Sequence, residues 1–335
     1  MANLRLGLML GYWMTGPEDP IALVREAEDL GFDSVWTAEA YGSDCVSTLS
    51  WVGARTTRIK LGTGIMQISA RTPACVAMTA ATIDHLSNGR LILGLGVSGP
   101  QVVEGWYGQP FPRPLGRTRE FVSIVRAMLK REAPVTFSGE HYHLPYDGGS
   151  GLGKPLKLIV HPLRADIPIY IAAEGPKNVE LALEIGEGWL PLFMSPYRTE
   201  MYRDVIKRLR PGFEVACPVT VVVNDDLEQA MMPIKYMIAF YIGGMGARSR
   251  NFHAELVARM GFEKEARTIQ DLFLAGKREE AIAAVPNALV DEISLVGSPE
   301  RIRDRLGAWQ ESFVTTLLIG TRDPAAVRAL AKALL

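Results

Sequence analysis

Short, almost continuously apolar runs recur along this chain, each bounded by glycine. Most are followed by a segment whose apolar positions return every three or four residues. Leu4–Leu10 is the first run; Ser34–Thr37, Ile59–Ile65 and Leu91–Val97 follow within the first hundred residues. Between them, Ile21, Val24, Ala27 and Leu30 mark one face of a helix opened by Pro17-Glu18-Asp19 and stopped by Gly31. Thr48–Arg55 and Pro73–Leu86 read as two more helices. An apolar run without alternation is how a parallel strand covered on both faces reads, and strands alternating with helices predict a parallel sheet. The rhythm breaks over Ser98–Asp166, a stretch rich in Gly and Pro with one convincing helix near Arg117–Arg131. It resumes with Ile167–Ala173, Lys177–Ile185, Gly188–Phe193 and Cys217–Val223. A mainly helical stretch from about Asp226 to Ser312 precedes Thr315–Ile319 and a closing helix, Pro324–Leu335. Eight short strands predict an α/β fold, a TIM (β/α)8 barrel. It forms a single domain over residues 1–335, with insertions at about 98–166 after strand four and 226–312 after strand seven.

Composition narrows the function classes. The 335 residues are 48% hydrophobic and 22% charged, with 36 basic against 37 acidic side chains and a net charge of −1. That balance excludes disorder and offers no field for nucleic acid or an acidic membrane surface. The three cysteines, Cys45, Cys75 and Cys217, are too sparse for a disulfide framework or a structural zinc site. The start Met1-Ala2-Asn3-Leu4-Arg5 lacks the pattern of a signal peptide, and no run is long enough to span a bilayer, so a cytoplasmic protein is expected.

Candidate chemistry gathers after the strands. Gly94-Leu95-Gly96-Val97-Ser98-Gly99 spells a dinucleotide fingerprint, but Pro100 follows at once where a long helix should open. The better reading is bare backbone against which a flat ligand lies. In Ile171-Ala172-Ala173-Glu174-Gly175-Pro176-Lys177-Asn178 a strand meets a glycine turn and a helix start, suited either to an oxyanion or to a plain capped turn. Thr63-Gly64-Ile65-Met66-Gln67 closes the third strand, and Gln67 has the amide to pair with a heterocycle edge, although taken alone a tight turn is the favoured explanation of the glycines. Glu39 and Glu174 both follow strands, so both can reach one face as an acid–base pair, the basis of a hydrolase reading. Asp84 and Arg90 flank a turn at the opposite end of the barrel, where such pairs serve stability. His141 and His143 lack a third ligand, and no metal is expected.

Taken in order, Val35-Trp36-Thr37-Ala38-Glu39, Leu61-Gly62-Thr63-Gly64-Ile65, Asp84-His85-Leu86-Ser87-Asn88-Gly89-Arg90, Gly94-Leu95-Gly96, Ala173-Glu174-Gly175-Pro176-Lys177-Asn178 and Gly186-Glu187-Gly188-Trp189 resemble the bacterial luciferase-like superfamily. Within it the chain resembles the branch that uses the deazaflavin coenzyme F420, and methylenetetrahydromethanopterin reductase-like proteins in particular. The resemblance implies an oxidoreductase moving a hydride between C5 of the deazaflavin and a small organic substrate, in a homodimer or higher homo-oligomer. It implies a cis peptide at Gly64–Ile65 behind the ring, Gln67 at the ring edge, and Val97, Ser98 and Gly99 passing close to the ring. Ala173, Glu174, Gly175, Pro176, Lys177 and Asn178 would surround the coenzyme phosphate. Glu39 is left as the candidate acid, and Tyr12, Trp13, Tyr41 and Trp106 as candidate pocket walls. Sugar-phosphate dehydrogenases of the branch carry His after the strand-two acid and Glu after strand four; this chain has Ala40 and Val97, so that chemistry is not expected. The competing readings are an FMN-dependent monooxygenase on the same fold, a non-catalytic coenzyme-binding protein, and the carboxylate-pair hydrolase.

Overall fold

A computed structural model describes residues 4–13, 15–16, 19–246 and 251–335. Met1–Asn3 at the start, and Pro17 and Glu18 of the expected helix opening, lie outside the described residues. The first helix begins at Ile21, whose amide is held by the Asp19 carboxylate at 3.1 Å.

Nine parallel strands carry the fold among the described residues: β1 Arg5–Gly11, β2 Ser34–Thr37, β3 Lys60–Thr63, β4 Leu91–Gly96, β5 Ile169–Ala172, β6 Gly188–Leu190, β7 Glu214–Val223, β8 Ser294–Gly297 and β9 Thr316–Gly320. Eight of them close a barrel in the order β9-β1-β2-β3-β4-β5-β6-β7, with β7 returning to β9. The flanking helices are α1 Ile21–Asp29, α2 Cys45–Gly53, α3 Pro73–Leu86, α4 Pro114–Lys130, α5 Pro176–Ile185, α6 Leu227–Gly244, α7 Pro299–Gln310 and α8 Pro324–Leu334, with shorter helices between them. The parallel strands are apolar on both faces because one face packs into the lumen and the other against helices.

The lumen is a packed core. Met9, Trp36, Ile92, Tyr170, Leu190, Ala216 and Leu318, from seven different barrel strands, meet inside it. Trp36 and Tyr170 lie 5.7 Å apart between ring centroids. Their bulk explains two glycines: a side-chain carbon at Gly62 would sit 2.3 Å from the Trp36 ring, and one at Gly188 2.7 Å from the Tyr170 ring. Burying side chains of this size stabilises the fold by roughly 1.5–3 kcal/mol each.

Three details differ from, or refine, the pattern read along the chain. The third strand ends at Thr63; the chain then bulges and only Met66–Gln67 rejoins the sheet, pairing with Leu95–Gly96. The segment read as helical after β7 contains β8, which pairs with Thr220–Val223. Four residues that directly follow a helix ending at Ile293 show no periodicity of their own, so the strand has no mark in the sequence. Between β4 and β5, the turn at His141 belongs to a two-stranded hairpin, Phe137–Ser138 with His143–Leu144. His143 faces Asp147, and no group of His, Cys, Asp and Glu among the described residues is arranged to hold a metal ion.

At the end of the barrel where strands begin, buried Asp84 is clamped by Arg164 at 2.6 Å, and Arg90 donates to the carbonyls of Gly53, Thr56, Ile59 and Ser87. These side chains hold loops together, as expected. No helix among the described residues is long and apolar enough to cross a membrane.

Candidate active site

The ends of β3, β4 and β5 converge on one side of the barrel mouth. The peptide bond between Gly64 and Ile65 is cis. A side-chain carbon on Gly96 would lie 2.8 Å from the Ile65 side chain and 3.3 Å from Ala172, so three strand ends share one surface. Thr63 fixes β3 to β4 in both directions: its hydroxyl donates to the Gly94 carbonyl at 2.8 Å and accepts from the Gly94 amide at 2.9 Å. Just beyond, Ser98 takes φ of 59° and, across the mouth after β6, Phe193 takes 51°. A left-handed conformation at a non-glycine residue costs energy and gathers where function requires it.

Glu39 lies beside this surface but is no free acid. It is buried, and its two oxygens accept from the Gln67 amide at 2.8 Å, the Cys45 amide at 3.3 Å and both guanidinium nitrogens of Arg71. Arg71 also pairs with Asp44. The carboxylate therefore ties the end of β2 to the bulge after β3 and to the start of α2. Gln67 is fully buried; its amide nitrogen donates to the carbonyls of Ala40 at 3.0 Å and Glu39 at 3.2 Å, which fixes the amide's orientation. The Gln67 Oε1 is left buried with no donor. Arg71 escaped the sequence reading, although an arginine between a strand end and a proline-opened helix is the place to look for such a clamp.

The turn after β5 has a similar vacancy in its hydrogen bonding. Gly175 stands at the cap position before α5 and offers no side-chain cap, and a side-chain carbon built on it would meet nothing within 4 Å. Pro176 occupies the first helical turn and Lys177 is exposed. Asn178 donates to the Ala172 carbonyl at 3.1 Å, and its Oδ1 is buried without a donor. Ala173 is buried, its carbonyl accepting from the Trp189 indole at 2.8 Å. Glu174, offered by the sequence as partner of Glu39, instead faces His253 with 3.0 Å between Oε2 and Nδ1. The two carboxylates are held by different partners and do not act as one pair.

A cavity of about 360 Å3 opens beside the mouth, lined by Tyr41, Gly99, Gln101, Trp106 and Met245 among others. Tyr41 and Trp106, whose rings are 6.5 Å apart, are two of the four aromatic side chains that the sequence suggested. Tyr12 and Trp13, the other two, do not line it. Trp13 is held through its amide by the Ser43 hydroxyl at 2.9 Å, and Tyr12 is hydrogen-bonded to Tyr241 of α6. Burial pushes the Tyr12 hydroxyl above its ordinary range, and the bond with Tyr241 opposes the shift. Tyr241 and His253 carried no signal in the sequence, because the groups that they meet are far along the chain.

A sequence model of the family described as luciferase-like monooxygenase matches residues 8–316. A protein of Mycobacterium tuberculosis, provisionally named a coenzyme F420-dependent oxidoreductase, is 49% identical over 342 residues, covering 98% of this chain and 99% of its own length. The 5,10-methylenetetrahydromethanopterin reductase of Archaeoglobus fulgidus is 29% identical over 89% of this chain and 88% of its own. Among solved structures, the coenzyme F420-dependent tetrahydromethanopterin reductase from Methanopyrus kandleri superposes with a TM-score of 0.75 at 22% identity, over 99% of both chains.

Proposed function

Since this chain belongs to the luciferase-like monooxygenase family, we propose that it is an oxidoreductase that binds coenzyme F420 across its strand ends and passes a hydride between the deazaflavin and a small organic substrate. The observation that carries the reading is the buried acceptor without a donor, Gln67 Oε1, on the residue that the family resemblance assigns to the ring edge. A buried acceptor without a donor costs about 1–3 kcal/mol, a debt that a ligand N–H or O–H cancels. The remaining residues fit the same group. The glycine-rich backbone at Gly64 and Gly96 leaves a flat surface, and the uncapped start of α5 suits an anion. The names of two relatives, an F420-dependent oxidoreductase and an F420-linked reductase, support the choice of coenzyme.

When bound, the deazaflavin supplies or accepts the hydride; the protein orients it and keeps water away. Gln67 would receive a hydrogen bond from the ring edge. Ile65, Val97 and Ser98 would lie against the ring, and the uncapped helix start at Gly175 would face the phosphate. Glu39 and Arg71 position Gln67 and do not touch the reacting atoms. The cavity walled by Tyr41 and Trp106 would take the substrate, and its apolar, aromatic character favours a neutral organic molecule over a sugar phosphate.

Fluorescence titration tests the reading directly. Deazaflavin emission is expected to change saturably on adding the protein, with FMN competing poorly. Tight FMN binding with no response from the deazaflavin would overturn it in favour of a flavin monooxygenase.

A further inference from the structure

Two pieces of chain far apart in sequence wall the cavity beside the barrel mouth. One is the short helix Pro100–Gly105 with Trp106 after it; the other is Gly244 and Met245 at the end of α6. Ser98, with its left-handed backbone, turns the chain from the end of β4 onto the short helix. Val102 and Val103 anchor that helix through buried side chains, and the Tyr107 hydroxyl ties its far end to the Ala40 carbonyl at 3.2 Å. Tyr41, next to Ala40, adds a further side.

Three properties of this lining select a ligand. None of the lining side chains carries a charge, so a carboxylate or phosphate placed there would lose hydration and gain no partner. The Tyr41 and Trp106 rings stand 6.5 Å apart at 52°, in contact with each other, whereas a third ring stacked between them would need about 7 Å. They form an open corner instead. The two residues are 50% and 65% exposed, which leaves a face of each for a flat molecule to cover. The third property is the Gln101 amide. Its Oε1 lies 3.2 Å from the position of a side-chain carbon built on Gly99, so the amide folds back over the bare backbone of that glycine. Gly99 lines the cavity and, in the redox reading, also passes beside the coenzyme ring. The Gln101 amide thus stands where the two spaces meet, and among the described residues no hydrogen bond engages it.

Resting on that redox reading, we propose that Gln101 selects the substrate, and that the substrate is an uncharged, flat ring compound bearing a carbonyl or hydroxyl oxygen. An amide answers either oxygen: its NH2 donates to a carbonyl, and its Oε1 accepts from a hydroxyl. With the ring laid in the Tyr41–Trp106 corner and its oxygen on Gln101, the carbon that carries the oxygen is held on the Gly99 side, toward the coenzyme. The volume of about 360 Å3 is near the lower end of ligand pockets, roughly 300–1,000 Å3, which suits a molecule of one or two rings.

Equilibrium dialysis with 2-naphthol, naphthalene and 2-naphthoate tests the assignment without coenzyme, because these probes share a ring system and differ in the group attached. Gln101→Met keeps the length of the side chain without the amide. It should weaken 2-naphthol about fivefold, the worth of one neutral hydrogen bond, and leave naphthalene within about twofold. In the wild-type protein 2-naphthoate should bind about tenfold more weakly than 2-naphthol. Trp106→Ala should weaken both neutral probes about tenfold, which places the ring in the corner. An unchanged 2-naphthol affinity in Gln101→Met, an equal loss of naphthalene there, or 2-naphthoate bound as tightly as 2-naphthol overturns the proposal. Indifference of both neutral probes to Trp106→Ala, or no binding of any probe, overturns it as well. Deazaflavin titration of the same proteins reports separately on the coenzyme. Failure there with the 2-naphthol difference intact removes the redox reading and leaves Gln101 as the selecting residue of the cavity.

Discussion

At the scale of single residues, Glu39 illustrates how a carboxylate at an active face serves without moving a proton. Its oxygens accept from two backbone amides and a guanidinium, and the amide that it holds belongs to Gln67. Replacing Glu39→Gln puts an NH2 among donors and leaves Arg71 with Asp44 alone. Breaking a buried pair costs about 3–5 kcal/mol, and the remaining Asp44 places this case at the low end, roughly 3 kcal/mol. Urea denaturation should show that loss, together with weaker deazaflavin binding as Gln67 shifts. A catalytic acid would behave oppositely, losing turnover while the denaturation midpoint stayed in place. The residue identities at this site were legible in the sequence, since Gln67 and Asn178 both sit where the strand-end motifs put them. Their partners were not, because Arg71 reaches Glu39 across 32 positions and His253 reaches Glu174 across 79, and no local pattern records such distances.

At the scale of elements, the start of α5 makes a separable test. Gly175 has φ of −77° and ψ of 146°, a conformation open to any residue, and its side-chain direction points into empty space. Gly175→Val should therefore change stability by less than about 1 kcal/mol. It should weaken deazaflavin binding at least tenfold by filling the space intended for an anion, as read by the same fluorescence titration. Unchanged affinity would move the phosphate elsewhere. The strands of the barrel announced themselves because each is apolar on both faces and framed by glycine. β8 did not, because its four residues run on directly from a helix with no glycine or turn between them. Glycine also supplied a false lead in Gly94–Gly99, whose spelling suggests a nucleotide turn while its glycines make room for neighbouring chain: a side-chain carbon on Gly94 would fall 1.8 Å from the Thr63 carbonyl oxygen.

At the scale of the whole molecule, two further cores lie outside the lumen among the described residues. One surrounds the barrel; the other lies within the segment after β7, where Ile234, Ile238, Leu256, Ile269 and Val290 pack together. The second core is joined to the first by the short β7–β8 ladder and by the ion pairs Arg198–Glu292 and Arg301–Asp291. Native-state hydrogen exchange should find the amides of residues 227–293 opening together at a lower free energy than those of β1, β4 and β9. Identical protection in both sets at every denaturant concentration would mean one cooperative unit. The β7–β8 ladder has a further consequence. Val223 and Gly297 are paired, and the Asn224 amide donates to the Gly297 carbonyl at 3.0 Å, so the chain departs and returns at adjacent strands about 5 Å apart. Without the intervening residues, β7, α7 and β9 would still make an ordinary βαβ unit. Residues 224–297 thus form a cassette with a ready splice point, one that recombination or a protein engineer can exchange between relatives, replacing the roof over the coenzyme while leaving the barrel beneath it intact.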